Sequence, residues 1–218
     1  MKTIALAASM ILVSGHPRTT HADVVPPVAA PDLRILGPEP RAHLGGSASA
    51  DLFSDLNRST PLTVGDFNGD GIQDIAIGAP DARNGAGAVY VVYGRPNLPG
   101  EIDLATGADV TILGASSGDR LGFSLAAGDV RGNGRTDLII GAPGADSPSQ
   151  SSTGAVFVLE GSGMLGGVID LRTEGSVSTF IYGSSSADRF GAAIATGDAG
   201  GPTAAGHPII DILVGAPG

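Results

Sequence analysis

The chain has 218 residues, 42% of them apolar, with 35 Gly, 15 Pro, no Cys, no Trp and a formal net charge of −10. Glycine at about twice its usual share, without a G-X-Y period and beside ample Val, Ile and Leu, excludes collagen and disorder and favours short strands joined by tight turns. The lack of Cys excludes disulfides, zinc–thiolate centres and thiol catalysis, and so acidic a surface repels nucleic acid and anionic lipid while attracting cations.

In chain order, Lys2 precedes an apolar run over 4–13, followed by Ser14-Gly15 and polar residues. The run is too short to span a bilayer as a stable helix but suits the core of a signal peptide, with a small-residue cleavage site at Thr20-His21-Ala22. Residues 1–22 are therefore expected to be a signal peptide, a buried N-terminal helix being the alternative. No later stretch is apolar enough over a sufficient length to cross a membrane. Residues 23–34 read as a Pro/Ala linker. Without 1–22 the chain carries ten Arg against 22 carboxylates, a net of −12.

From residue 35 onward the sequence repeats itself. Ile35-Leu36-Gly37, Ile112-Leu113-Gly114 and Ile181-Tyr182-Gly183 each have a second glycine eight residues after the first, at Gly45, Gly122 and Gly191. Asp129 and Asp198 follow seven residues later; in the first copy Asp66 arrives 14 residues late, which marks 51–60 as an inserted loop. The runs beginning at Asp74, Asp137 and Asp211 all end in Gly-Ala-Pro, Ala88-Val89-Tyr90 matches Ala155-Val156-Phe157, and Ile102-Asp103-Leu104 matches Ile169-Asp170-Leu171. The units are 35–111, 112–180 and a truncated 181–218.

Within one unit, four β-branched or aliphatic runs bounded by Gly, Pro, Asp or Asn predict strands near 124–128, 138–141, 155–159 and 179–182. The 138–141 run is almost wholly apolar, as expected of a strand covered on both faces. Four strands in about 65 residues predict an all-β fold of β-propeller blades, each of four antiparallel strands; a β-solenoid is the alternative. Two full blades and part of a third fall short of a closed ring, so a fragment of a longer protein, further blades, or self-association is expected.

The segments Leu121-Gly122-Phe123-Ser124, the DLIIGAP run from Asp137 and Gly154-Ala155-Val156-Phe157 closely resemble FG-GAP repeats, found in integrin α-chain propellers and in bacterial surface and secreted proteins. The resemblance covers 35–218. It departs in the first copy, where Leu44-Gly45-Gly46 and the insertion stand in place of the Phe-Gly strand. It implies a secreted, extracellular or periplasmic binding module with a protein or glycan ligand, and not an enzyme.

Asp66-Phe67-Asn68-Gly69-Asp70-Gly71-Ile72-Gln73-Asp74 carries side-chain oxygens at positions 1, 3, 5 and 9 of a turn, with Gly at 6. Such a set suits one hard cation, Ca²⁺ better than Mg²⁺; an Asp/Asn/Gly hairpin without metal is the alternative. An EF-hand would need Glu at position 12, where Ile77 stands. By resemblance to FG-GAP calcium loops, Asp66, Asn68, Asp70 and Asp74 supply side chains and Ile72 a backbone carbonyl. The second copy keeps Asp129, Asn133 and Asp137 but has Arg131 at position 3, making a degenerate site in which Arg131 is expected to pair with Asp129 and Asp137. The third copy spaces Asp198 and Asp211 by 13 residues and is expected to be metal-free.

Gly114-Ala115-Ser116-Ser117-Gly118 fits the nucleophile-elbow pattern but lacks a following helical pattern, and His43 and His207 have no matching ligand set. Two functions remain. One is an adhesion or ligand-binding module; the other is the propeller portion of a larger secreted hydrolase or phospholipase-like enzyme.

Overall fold

An apolar run without a polar face settles only where both its faces are covered, and that requirement organises this fold. The computed structural model describes residues 11–14, 33–37, 61–161, 166–173, 179–200, 203–204 and 207–218. First come β1 (Ile11–Ser14) and β2 (Leu33–Leu36), paired in parallel. They are followed by β3 (Leu62–Gly65), β4 (Asp74–Ala79), β5 (Ala88–Val92), β6 (Glu101–Asp103) and β7 (Val110–Leu113). The second unit gives β8 (Ser124–Gly128), β9 (Asp137–Ala142), β10 (Ala155–Leu159), β11 (Gly167–Asp170) and β12 (Thr179–Tyr182). The third gives β13 (Ala193–Gly197), the small ribbon β14 (Thr203–Ala204) and β15 (His207–Pro208), and β16 (Asp211–Gly215).

The strands β8, β9, β10 and β12 form an antiparallel meander at the positions expected from sequence. The preceding meander β3, β4, β5 and β7 repeats it. To the four antiparallel strands of the first blade the structure adds a fifth. β11 leaves the second blade and pairs in parallel with β7, the last antiparallel strand of the first, Ile169 lying opposite Ile112. In the same way β6 pairs in parallel with β2, Ile102 opposite Ile35. The repeated Ile-Asp-Leu motif is therefore a strand that reaches back to cover the outer edge of the preceding sheet. The unit boundaries at 112 and 181 fall inside β7 and β12, so each sequence unit begins with the last strand of the previous blade. In the third unit β13 and β16 pair antiparallel, and the sheets do not close into a ring among the described residues.

β2 begins two residues inside the segment expected to be a linker, because Leu33 and Ile35 enter an apolar layer. Ile11–Ser14, within the expected signal segment, lies beside β2. The rest of 1–22, the linker up to residue 32, the 51–60 insertion and His43 lie outside the described residues.

The core lies between sheets. One face of the first blade (Val89, Val91, Val110, Ile112) packs on one face of the second (Leu125, Leu138, Ile140). Its opposite face (Ile75, Ile77, Tyr90, Val92) packs on Leu33, Ile35 and Ile102. Ile139, Val156 and Val158 meet Phe190, Ile194, Ile212 and Val214 of the third unit. All six residues of β4 and all six of β9 are buried, which explains their unbroken apolar runs.

Neighbouring blades also touch backbone to backbone. A Cβ on Gly78 would overlap the Gly122 carbonyl oxygen, and one on Gly141 would overlap the Gly191 carbonyl oxygen and the Ser124 hydroxyl. Gly122 and Gly191 themselves have φ of 81° and 88°, a region L side chains avoid. We expect Gly141→Ala to destabilise the chain by about 2–4 kcal/mol through overpacking and backbone displacement. Gly166→Ala, where nothing lies within reach of an added methyl, should be near-neutral. Urea denaturation of both variants checks this; equal midpoints would remove the argument.

Candidate metal centre

The turn from β3 to β4 is built by amides converging on two carboxylates. Asp66 accepts from Gly69 N (2.7 Å) and Asp70 N (3.1 Å) on one oxygen and from Gly71 N (2.8 Å) on the other. Asp74, fully buried, accepts from Phe67 N (2.8 Å) and Asn68 N (3.3 Å) on one oxygen. Its other oxygen accepts from Gly94 N (2.8 Å), just beyond the end of β5. Asn68 and Asp70 stand at the exposed mouth, where Asn68 Nδ2 donates to Asp70 (3.0 Å) and Asp70 accepts from Ile72 N (2.7 Å). Phe67 points the other way and is fully buried in the core between the blades. Gly69 and Gly71 supply the left-handed φ of 77° and 83° that the sharp turn needs.

Burial pushes the Asp74 carboxyl above the ordinary carboxylate range. The amides of Gly94, Phe67 and Asn68 pull it back, and the nearby charge of Asp70 pushes it up again. The donor set is thus oxygen-only, partly buried and short of positive charge, which is the chemistry of a hard cation site. Asp66, Asn68, Asp70 and Asp74 are brought to one turn as the sequence predicts, with Ile72 following Gly71. Among the described residues no three acidic or histidine side chains converge on one point.

The second turn is a copy of the first. Asp129 accepts from Asn133 N (3.0 Å) and Gly134 N (2.7 Å), Asn133 accepts from Arg135 N (3.0 Å), and buried Asp137 accepts from Val130 N (3.2 Å) and Gly161 N (3.0 Å). Burial also raises the Asp137 pKa, offset by the Gly161 and Val130 amides and then by the charge of Arg131. The expected pairing of Arg131 is corrected: its guanidinium makes a close ion pair with Glu160 (2.6 Å) and donates to Thr179 (3.1 Å), while still favouring the charged form of Asp137 from nearby. Glu160 sits where the first copy has Tyr93, which is why the arginine finds a carboxylate there. In the third unit Ala199 N donates to Asp211 (2.9 Å), and the ribbon β14–β15 fills the lengthened loop.

Sequence reasoning treated Asp74 and Asp137 only as ligands. The structure adds that each ties its turn to the end of the third strand through Gly94 or Gly161, matched glycines whose missing Cβ leaves room for the carbonyls of Gln73 and Thr136. The signal was present in the paired Tyr93-Gly94 and Glu160-Gly161. The serine pattern at 114–118 makes a turn leading into β8, and Ser117 donates its hydroxyl to the Asn84 carbonyl (2.6 Å), so no strand–turn–helix elbow forms there.

With this geometry in place, comparison with known proteins is informative. The FG-GAP repeat family matches residues 62–92 and 121–159, the first three antiparallel strands of each complete blade. Integrin alpha-PS2 of Drosophila melanogaster is 33% identical over 176 residues, 78% of this chain and 11% of that protein. Phosphatidylinositol-glycan-specific phospholipase D of Bos taurus is 36% identical over 139 residues, 60% of this chain and 17% of that protein. Integrin alpha-V of Gallus gallus is 30% identical over 112 residues, 51% of this chain and 10% of that protein. The chain thus spans between 10% and 17% of the length of these relatives.

Because Asp137 serves as a buried acceptor for amides, Asp137→Ala should cost about 2–4 kcal/mol by stranding them. The loss should be the same in excess chelator and in millimolar calcium. Thermal melts in both buffers test this, and a loss confined to the calcium buffer would contradict the structural role.

Proposed function

Since the chain carries FG-GAP repeats, we propose that it is a calcium-binding propeller module of a secreted or cell-surface protein, serving adhesion or ligand binding. The observation that carries the proposal is the turn at 66–74, where three acids and an amide share one loop and one of the acids, Asp74, is buried with its charge only partly compensated. Asp66, Asn68, Asp70 and Asp74 would hold the ion by side-chain oxygens, with the Ile72 carbonyl completing the set. Bound there, calcium supplies positive charge and no chemistry. The chain's own residues do the rest: Asp74 fastens the turn to Gly94, and Phe67 anchors it in the layer between blades. Beside Asp129, Asn133 and Asp137 the Arg131 guanidinium, held in place by Glu160, stands where an ion's charge would lie, so binding there would be weak.

Secretion is supported by the charged start and apolar core of the first 22 residues, and no helix among the described residues is long and apolar enough to cross a membrane. The ligand would be an extracellular protein or glycan, with further blades or self-association closing the ring. A second reading is favoured by the phospholipase relatives: the repeats would then be the non-catalytic propeller portion of a larger secreted hydrolase or phospholipase-like enzyme. The complete reading frame separates the two, a catalytic domain favouring the second.

A ligand that binds only the folded state stabilises it by about 2.7 kcal/mol at a hundredfold excess over Kd. For a chain of this size that raises Tm by about 5–10 °C. We expect that rise when calcium replaces EDTA, a smaller one with magnesium, and none in the Asp66→Ala/Asp70→Ala double variant. A wild-type Tm indifferent to calcium would sink the proposal.

A further inference from the structure

The ends of the sheets opposite the metal turn carry a groove of about 860 Å³ that the metal reading does not use. It is formed by the connections from β7 to β8 and from β12 to β13 together with those after β9 and β16, whereas the metal turn joins β3 to β4 at the other end. Arg120 and Arg189 line it, with Phe123, Ser152, Pro143 and Pro217. The two arginines occupy the same place in successive repeats, Asp119-Arg120-Leu121-Gly122 and Asp188-Arg189-Phe190-Gly191, and both have left-handed backbone (φ 58° and 53°). In a chain of net charge −10, two guanidinium groups at one groove run against the overall field.

The first arginine is partly spoken for. Arg120 pairs with Asp81 at 3.4 Å and lies over the Phe123 ring at 6.0 Å. Asp81 follows the first Gly-Ala-Pro; the matching residue of the second repeat is Gly144. No acid can stand there, because a Cβ on Gly144 would overlap the Gly118 carbonyl oxygen. The exposed Arg189 guanidinium makes no hydrogen bond or ion pair among the described residues, its backbone carbonyl alone accepting from Ala192 N (3.1 Å). The nearby carboxylates are engaged elsewhere: Asp119 and Asp188 accept from Ser116 N and Ser185 N (2.8 Å each), and Asp146 from Ser152 N (2.6 Å).

We infer that this groove binds a carboxylate-bearing segment of an acidic polypeptide, with Arg189 as the principal contact and Arg120 as the second. A guanidinium presents parallel N–H donors that match a carboxylate, and the stacked, hydrogen-bonding fork is what Lys lacks. Between the arginines the surface is Pro, Phe and small aliphatic side chains, with Ser152 the one hydroxyl. That floor suits the methylene stem and extended backbone of a Glu-rich segment. A sulfated glycan would leave many hydroxyls without partners there. The inference deepens the ligand-binding part of the proposed function and rests on that part alone, not on calcium.

The test is fluorescence anisotropy with a capped eight-residue peptide of alternating Glu and Ala, its Gln/Ala counterpart, and a sulfated heparin octasaccharide, in EDTA and again in calcium. The expected results are binding of the acidic peptide alone, weakened about tenfold or more by Arg189→Ala and several-fold by Arg189→Lys. Asp81→Asn, which releases Arg120, should tighten binding several-fold. Binding should be the same in EDTA as in calcium, so that a failed calcium claim leaves this one standing. Binding unchanged by Arg189→Ala, equal binding of the Gln/Ala peptide, or saturation by the octasaccharide in place of the acidic peptide would each overturn it.

Discussion

The spacing between blades is set by peptide groups that meet without side chains between them. Gly78 faces Gly122, and Gly141 faces Gly191, at the innermost corner where one sheet follows another. Gly122 N and Phe123 N donate to the Gly141 carbonyl (3.0 and 3.2 Å), and Gly191 N to that of Gly215 (3.2 Å), so the same corner is hydrogen-bonded as well as close-packed. Everything farther out follows from that distance. Val, Ile and Leu fill the layer between sheets because aromatic side chains in number would force the corners apart, and the composition, with 4% aromatics, reflects it. Abundant glycine here means contact more often than flexibility.

A second constraint acts at the opposite end of each blade. Asp74 and Asp137 carry charge into a buried position, where each is surrounded by amides from its own turn and from the end of the third strand. Such a carboxylate orders the turn by itself, and it leaves Asn68 and Asp70 at the mouth. The two turns share this frame and differ at the mouth, where Asn68 and Asp70 face solvent in one and an arginine bonded to Glu160 fills the other. Within nine residues the inner carboxylate is buried in the fold, while the outer groups stand open at the mouth.

Much of this was legible in the sequence because the repeat fixes registers that composition leaves free. The four strands of the second blade stand where the apolar runs lie, and the continuous burial of β9 follows from its sequence. Three features were not legible. The back-reaching strands β6 and β11 are only three and four residues long and pair with a strand of another sheet, so the repeated Ile-Asp-Leu marks their place but not their partners. The partner of Arg131 depends on Glu160, 29 residues away, which only the antiparallel fold brings near. The groove with its arginines was hidden in plain view, since Asp-Arg before Leu-Gly or Phe-Gly served as a marker of the repeat and its charge was passed over.

The strand that each unit lends to its predecessor makes the array directional. β11 belongs to the second unit yet completes the outer rim of the first sheet, and β6 stands in the same relation to β2. Overlapped like roof tiles, the units share their rims: loosening a later tile bares the rim of an earlier one, and loosening the earlier one strips the lent strand of its partner. Neighbour-to-neighbour coupling of this kind ties the rim of the first sheet to the integrity of the unit that comes after it.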